Sequence, residues 1–308
     1  MDLELLSNIL YLTIRTGTPL LLVALGELVC EKSGVLNLGQ EGMMLIGAVI
    51  GFITAFATGS LFIGFVVAAI AGIVMSLIFA FVAVTLNANQ VATGLALTIF
   101  GTGLSAFIGD SFEGKTIEPL ANLNSGVLES IPVIGKALFA QDALVYFSWV
   151  LFIGVYLFFK RGRAGLKVRA AGENPTVGSH LGLPVLKVRY FSVMFGGAMA
   201  GLAGGYLSLA YTPMWTENMT AGRGWIALAL VVFASWRVGR IMLGAYLFGL
   251  ASIMHLIIQG FGISISSNLL ATLPYVATIV VLVFLSKNIE RLKQFEPMAL
   301  GKPWHKSH

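Results

Sequence analysis

An all-α, polytopic membrane protein is the fold class that the sequence predicts, and three observations carry it. Hydrophobic residues make up 57% of the 308 and charged residues only 11%, against about 25% charged in a soluble domain. Apolar stretches of about 20 residues, the length that crosses the hydrocarbon core, recur along the chain. The 36 glycines fit the same class, because small residues let membrane helices approach closely. Mean hydropathy is +0.89.

These numbers also exclude function classes. The pI of about 9.4 would suggest nucleic acid in a soluble protein. Here the basic residues sit in short loops and the tail, which is an orientation signal instead, and no nucleic-acid partner is expected. One cysteine, Cys30, excludes an intramolecular disulfide and a cysteine-based metal cluster. His180, His255, His305 and His308 are too scattered for a ligand set, so no metal is expected. The start MDLEL places acids where a secretory n-region is basic, so no cleaved targeting segment is expected.

Taken in order, the spans fall near 5–27, 42–58, 61–86, 91–109, 143–159, 189–211, 224–236, 240–258 and 269–286. That is about nine, within a range of 8 to 10. The segment 224–236 is short for a full crossing. The whole chain, 1–308, reads as one transmembrane domain. Its loop at about 160–188 holds Lys160, Arg161, Arg163, Lys167, Arg169 and Lys187, with Arg189 at its edge. The turn at Trp236–Arg240 and the tail at about 287–308 are basic too, and alternating spans put all three on the cytoplasmic side. The connection at about 110–142 is acidic and falls outside. The C-terminus is therefore expected in the cytoplasm and, with nine spans, the N-terminus outside.

Polar interruptions mark the candidate working parts. Between Gly26 and Gly42, Glu27, Glu31, Lys32, Asn37, Gln40 and Glu41 leave hardly any room for a loop. Ionisable groups at membrane depth normally face a protein interior or a water-filled path, although an interfacial turn is the plainer reading. Asn87–Gly94 is a turn rich in amides that opens a helix. Ala170–Leu183, AAGENPTVGSHLGL, is a polar island that also reads as a solvated turn. Gly109, Gly114, Lys115 and Thr116 satisfy the phosphate-binding G-x-x-x-x-G-K-[ST] pattern. That motif needs a strand before it and a helix after it, and here it follows a membrane helix and precedes Pro119. It is read as coincidence.

Gly197, Gly201 and Gly205, spaced by four, form a small-residue face for close helix packing, with the partner helix taken to be in the same chain. Tyr211, Pro213, Met214, Trp215 and Trp225 read as an interfacial belt, with Trp215 as an alternative ligand contact. His255 reads as a packed neutral histidine.

The wording of four stretches carries a resemblance. S-G-V-L-N-L-G-Q-E-G from Ser33, N-Q-V-A-T-G-L-A-L from Asn89, A-A-G-E-N-P from Ala170, and G-R-G-W-I-A-L-A-L with L-G-A-Y-L-F-G after it stand in this order. They resemble permease subunits of bacterial ABC importers for ribose, branched-chain amino acids and nucleosides, and most resemble the nucleoside (guanosine-type) permeases. One departure is Val238, where relatives commonly carry proline two residues after the tryptophan.

The resemblance implies an ABC-importer permease fold in the bacterial plasma membrane and no enzymatic activity in this chain. It implies a cytoplasmic ABC ATPase, which uses the ATP while this chain binds no cofactor. It also implies a second permease subunit, either a non-identical paralogue or an identical copy, and an extracytoplasmic solute-binding lipoprotein, with membrane lipid around the spans. Gly172, Glu173, Asn174, Pro175, Gly178, Leu181 and Gly182 match the ATPase-coupling loop. Asn37, Gln40, Glu41, Asn89, Gln90 and Thr93 are the candidate substrate pathway, since their amide and carboxylate groups suit ribose hydroxyls and base edges. Branched-chain amino acids or a sugar are the alternative cargo. An ion-gradient-driven secondary transporter, with Arg15, Glu41 and His255 as coupling groups, is the alternative of a different class.

Overall fold

The longest helix organises the bundle. In the computed structural model α1 runs Leu3–Lys32, about 45 Å at 1.5 Å per residue, and Leu20–Glu31 is buried on every side. The structure describes residues 3–123, 126–260 and 295–305, with scattered positions between 266 and 283. The remaining helices are α2 (Gln40–Thr58), α3 (Leu61–Ala80), α4 (Gln90–Gly109), α5 (Ile134–Phe139), α6 (Ala143–Arg161) and α7 (Arg163–Glu173). They are followed by α8 (Pro175–His180), α9 (Val185–Tyr206), α10 (Arg223–Phe233) and α11 (Val238–Gly260). No strand occurs among the described residues, only the isolated bridges Thr116–Met214 and Asn122–Asp142.

Local chemistry sets several starts. Ser60, Asn89, Asp142 and Asn174 each accept a backbone N–H with the side chain at the head of α3, α4, α6 and α8. Pro175 occupies the first turn of α8, where a missing N–H costs nothing. Helices α3 and α9 each end in a π-helical turn, Phe81–Thr85 and Leu207–Tyr211.

Helices α1, α2 and α9 form the centre, and the glycines explain how closely they meet. A Cβ on Gly201 would strike the Ala68 carbonyl oxygen of α3, and one on Gly47 would strike the Gly201 backbone. Gly197 lies against Ser76 and Gly72, and Gly205 against Ala68. The 197/201/205 face therefore packs on α3 of the same chain. Gly204 touches the Met44 carbonyl of α2, and Gly26 of α1 touches Met199 and Gly196. Helices α3, α4 and α6 stand outside this centre and expose apolar side chains such as Phe62, Phe107 and Val150.

Six helical segments are long and apolar enough to cross a membrane among the described residues: 3–32, 40–58, 61–85, 90–112, 143–161 and 185–211. The expected count of nine is thus only partly matched. Helix α10 has 11 residues, about 16 Å, which is half of the roughly 30 Å core. Helix α11 has 23 residues, of which the stretch Val238–Met254 counts as a shorter apolar helix. The predicted span 269–286 and the tail residues 287–294 and 306–308 lie, apart from a few positions, outside the described residues.

The two ends of the bundle differ in charge. At one end the 110–142 connection meets the head of α1 through Asn122 to Tyr11 and Lys136 to Asn8, and the Ile117 N–H donates to the Pro213 carbonyl. Lys115 rests over the Phe112 ring at 4.5 Å and no strand precedes it, so the G-x-x-x-x-G-K-T string has no phosphate-binding geometry. At the other end lie Lys32, α7, α8, the α3–α4 turn, Arg237 and the tail 295–305.

Candidate functional site

The chain does not turn back simply after α1. From Ser33 to Gly39 it runs as non-helical backbone alongside the helix it has just left. Asn37 N donates to Glu27 Oε1 at 3.0 Å, although Glu27 lies five residues, about 7.5 Å, before the end of α1. Gln40 Nε2 donates to the other Glu27 oxygen, and Leu36 N donates to Gln90 Oε1 at 2.8 Å. Thr98 Oγ1 donates to the Leu38 carbonyl at 3.0 Å. Irregular backbone at membrane depth requires partners of this kind. Glycine makes the close passage possible, since a Cβ on Gly94 would meet the Leu38 backbone.

A second interrupted segment meets the first. After the π-helical turn, residues 212–222 lead into the short α10, whose first amides point at the head of α2. Glu41 accepts the Thr220 hydroxyl and the Gly222 N–H (2.8 Å) on one oxygen and the Gly224 N–H (2.6 Å) on the other. A carboxylate at a helix N-terminus is favoured by the free N–H groups and the helix dipole. Two helix starts are thereby joined by one side chain. At the far end of α10, Trp236 Nε1 donates to Glu31 Oε2. Ser235 and Trp236 adopt positive φ values of 51° and 54° in that turn, two residues before the Val238 departure.

The structure brings Asn37, Gln40, Glu41 and Gln90 into the interior; Asn37 and Gln40 are fully buried. Gln40 Oε1 and Gln90 Nε2 have no partner among the described residues. Asn89 and Thr93 are elsewhere. Asn89 is exposed and caps α4 through Ala92 N, and Thr93 lines a shallow cleft with Ile78, Phe79 and Phe100. Glu27, Glu31, Thr220 and Trp236 complete the network; Thr220 and Trp236 lie about 180–200 residues away in sequence. Arg15 is at the opposite end, pairing with Asp142 at 3.6 Å and donating to the Ala210 carbonyl. Glu41 shares none of these partners, and the His255 side chain lies outside the described residues.

Two sequence readings change. Trp215 is fully buried against Gly109, so it is no part of an exposed belt. Arg189 belongs to α9 rather than to the basic loop. It is buried and donates to the Ser33 carbonyl at 3.3 Å, because the returning 33–39 segment brings that carbonyl inside.

Gly172, Glu173, Asn174, Pro175, Gly178, Leu181 and Gly182, which the resemblance matched to a coupling loop, gather at the basic end. Gly172 is buried where a Cβ would strike the Lys32 carbonyl, and its own carbonyl accepts Ala299 N at 2.9 Å. Asn174 caps α8, Pro175 and Gly178 are buried, and Glu173 and Gly182 are exposed. Leu181 is 83% exposed and Val177 51%, so this short polar helix offers an apolar edge outward.

The tail clasps the site. Trp304 is buried against Ala171 and Val185, its Nε1 donates to Thr176 and its backbone N donates to Asn87. Lys32 Nζ donates to the Phe295 carbonyl, and Arg237 lies 4.0 Å from the Phe295 ring centroid. Truncating a buried tryptophan costs about 3 kcal/mol, so Trp304→Ala is expected to lower the thermal midpoint of the purified permease by several degrees. A scan that matched the unaltered protein would show that the clasp is not a stabilising element.

A profile described as the permease component of branched-chain amino acid transport systems matches residues 8–285. A protein of Haloferax volcanii named as a glucose ABC transporter permease is 37% identical, covering 97% of this chain and 98% of its own. The guanosine ABC transporter permease of Bacillus subtilis is 33% identical over 82% of this chain and 83% of its own. The nucleoside ABC transporter permease of Lactococcus lactis is 32% identical over 89% and 90%. No solved structure matches. With nearly the whole chain matched, and with six apolar helices able to span a bilayer, this protein belongs to the branched-chain amino acid transport permease family and is a transmembrane permease subunit of an ABC transporter.

Proposed function

We propose that this permease imports nucleosides, with the buried set Asn37, Gln40, Glu41 and Gln90 beside its path and the α7–α8 arm docking an ATPase. The observation that carries the transport assignment is the join between two interrupted segments, 33–39 and 212–222, at the Glu41 carboxylate. Transporter binding sites are built from discontinuous helices of this kind. Both unpartnered amide atoms, Gln40 Oε1 and Gln90 Nε2, suit a solute rich in hydroxyl groups and ring nitrogens. Nucleosides are favoured over other cargo by the N-L-G-Q-E-G and N-Q-V-A-T-G wording and by the guanosine and nucleoside relatives. Glucose is the second reading, supported by the relative matched along nearly its full length.

The arm supplies the coupling. Exposed Leu181 and Val177 would seat in an ATPase groove, and Gly172 would pass displacement to the end of α1, whose Glu31 and Glu27 hold α10 and the 33–39 segment. Closure of the nucleotide dimer then acts as a rigid-body push on the polar interior. A second permease subunit would face the first across the membrane. A solute-binding lipoprotein would dock at the acidic end, and the basic end with the C-terminus would be cytoplasmic.

Uptake of labelled guanosine, glucose and leucine in cells with and without the gene tests the cargo. Selective loss of guanosine uptake is expected, and selective loss of glucose or leucine uptake would replace the nucleoside reading. Leu181→Asp tests the arm: it removes an exposed apolar contact and adds charge, so transport falls by at least tenfold while the amount of permease in the membrane is unchanged. Full transport by that variant would remove α8 from the coupling path. Alanine at both Asn37 and Gln40 is expected to abolish uptake per folded permease, beyond any fall in membrane level, and unchanged uptake per folded permease would take them out of the path.

A further inference from the structure

We infer that the cleft between α6, α7 and α9 is a binding site for one anionic phospholipid of the leaflet at the basic end. The cleft holds about 740 Å³, within the range of small-molecule sites. Its walls are apolar along the bundle, with Val150, Val155 and Phe158 from α6 facing Phe191 and Phe195 from α9. Ser192 is the one polar residue along these walls, and charge is confined to one end, where Lys167 of α7 and Lys187 of α9 form the rim. Both lysines are exposed, and neither forms an ion pair among the described residues.

The dimensions suit a lipid rather than a soluble ligand. From Lys187 to Phe195 along α9, and from Phe158 to Val150 along α6, the cleft extends eight residues, about 12 Å. One leaflet of the hydrocarbon core is about 15 Å deep. A headgroup phosphate between the two ammonium groups would therefore leave an acyl chain lying along the apolar walls. Gly154 keeps that wall open, since a Cβ there meets nothing within 4 Å. Basic pockets between membrane helices recognise anionic headgroups in this way. A second identical permease is a poorer occupant, because a two-fold contact through this patch would bring the unpaired lysines toward their own copies.

The site carries a consequence for coupling, because Lys167 lies within the α7–α8 arm, in α7, and Lys187 follows the arm at the start of α9. A bound lipid would tie the root of the arm to α6. The binding claim itself rests on neither the cargo nor the coupling assignment.

The test is native mass spectrometry of the assembled transporter in detergent, titrated with phosphatidylglycerol or with phosphatidylcholine of the same chains. Phosphatidylglycerol is expected to bind more tightly, and the K167Q/K187Q variant to lose roughly thirtyfold of that preference, about fivefold for each lysine. Gly154→Trp, which fills open space without touching the core, is expected to remove the saturable site for both lipids. Equal binding of the two lipids, or a preference unchanged in K167Q/K187Q, would overturn the inference. So would a Gly154→Trp variant that separates the paired permeases while retaining its lipid, since the cleft would then seat protein.

Discussion

Replacing Glu41 by alanine or by glutamine is expected to reduce the assembled permease to a similar and severe degree. All three groups that meet this carboxylate donate: the Thr220 hydroxyl and the N–H groups of Gly222 and Gly224. Alanine orphans them, at about 1–3 kcal/mol for each buried donor, a total comparable to the whole stability of an ordinary domain. Glutamine is isosteric but carries an NH₂ where the carboxylate has a second oxygen. In either orientation that NH₂ faces a backbone N–H, since both oxygens of Glu41 receive one. Thr220 can turn its hydroxyl to accept, but an amide cannot. Membrane levels and thermal midpoints of both variants check this, with a fall of roughly tenfold in folded protein expected. Glutamine behaving like the native residue would contradict the three-donor join between Glu41 and the start of α10.

The second large effect is steric. Gly201→Leu is expected to prevent assembly, because its first side-chain carbon already meets the Ala68 carbonyl of α3 while the Gly47 backbone of α2 presses on the same glycine. Overpacking in a core commonly costs about 1–3 kcal/mol. Here two helices must separate at once, and all of the nearest atoms belong to backbone that cannot swing aside. Gly103→Leu in α4 is the control, since a Cβ there meets nothing within 4 Å. Fluorescence-detected size exclusion of the solubilised variants should show a folded peak for Gly103→Leu and none for Gly201→Leu. A normal peak for Gly201→Leu would contradict the packing of α9 between α2 and α3.

Several of these features were legible in the residues. Membrane class, the long spans and the position of the polar α7–α8 arm follow from composition, run length and the A-A-G-E-N-P wording. Asn37, Gln40 and Glu41 stood out because polar groups inside an apolar run demand a protein partner. What those groups bind was not legible. Glu31 meets Trp236 and Glu41 meets Thr220 across some 180–200 residues, and no periodicity links positions so far apart. Length marked 224–236 as short for a full crossing, and α10, with 11 residues, is about half of one. Positive charge misled for Arg189, which is buried on the returning 33–39 segment. Asn89 and Thr93 shared a motif with Gln90, yet residues four apart lie on one side of a helix, and theirs is the outer side, while Gln90, one residue round, turns inward. The tail clasp had no sequence signal beyond Trp304 itself.

The most direct measurement is uptake of labelled guanosine by proteoliposomes that hold this permease with its ATPase and solute-binding protein. Uptake that requires ATP inside the vesicle compartment bearing the ATPase, and that persists after proton and sodium gradients are collapsed, is the result this account predicts. Guanosine uptake that follows an ion gradient and continues without ATP would contradict it.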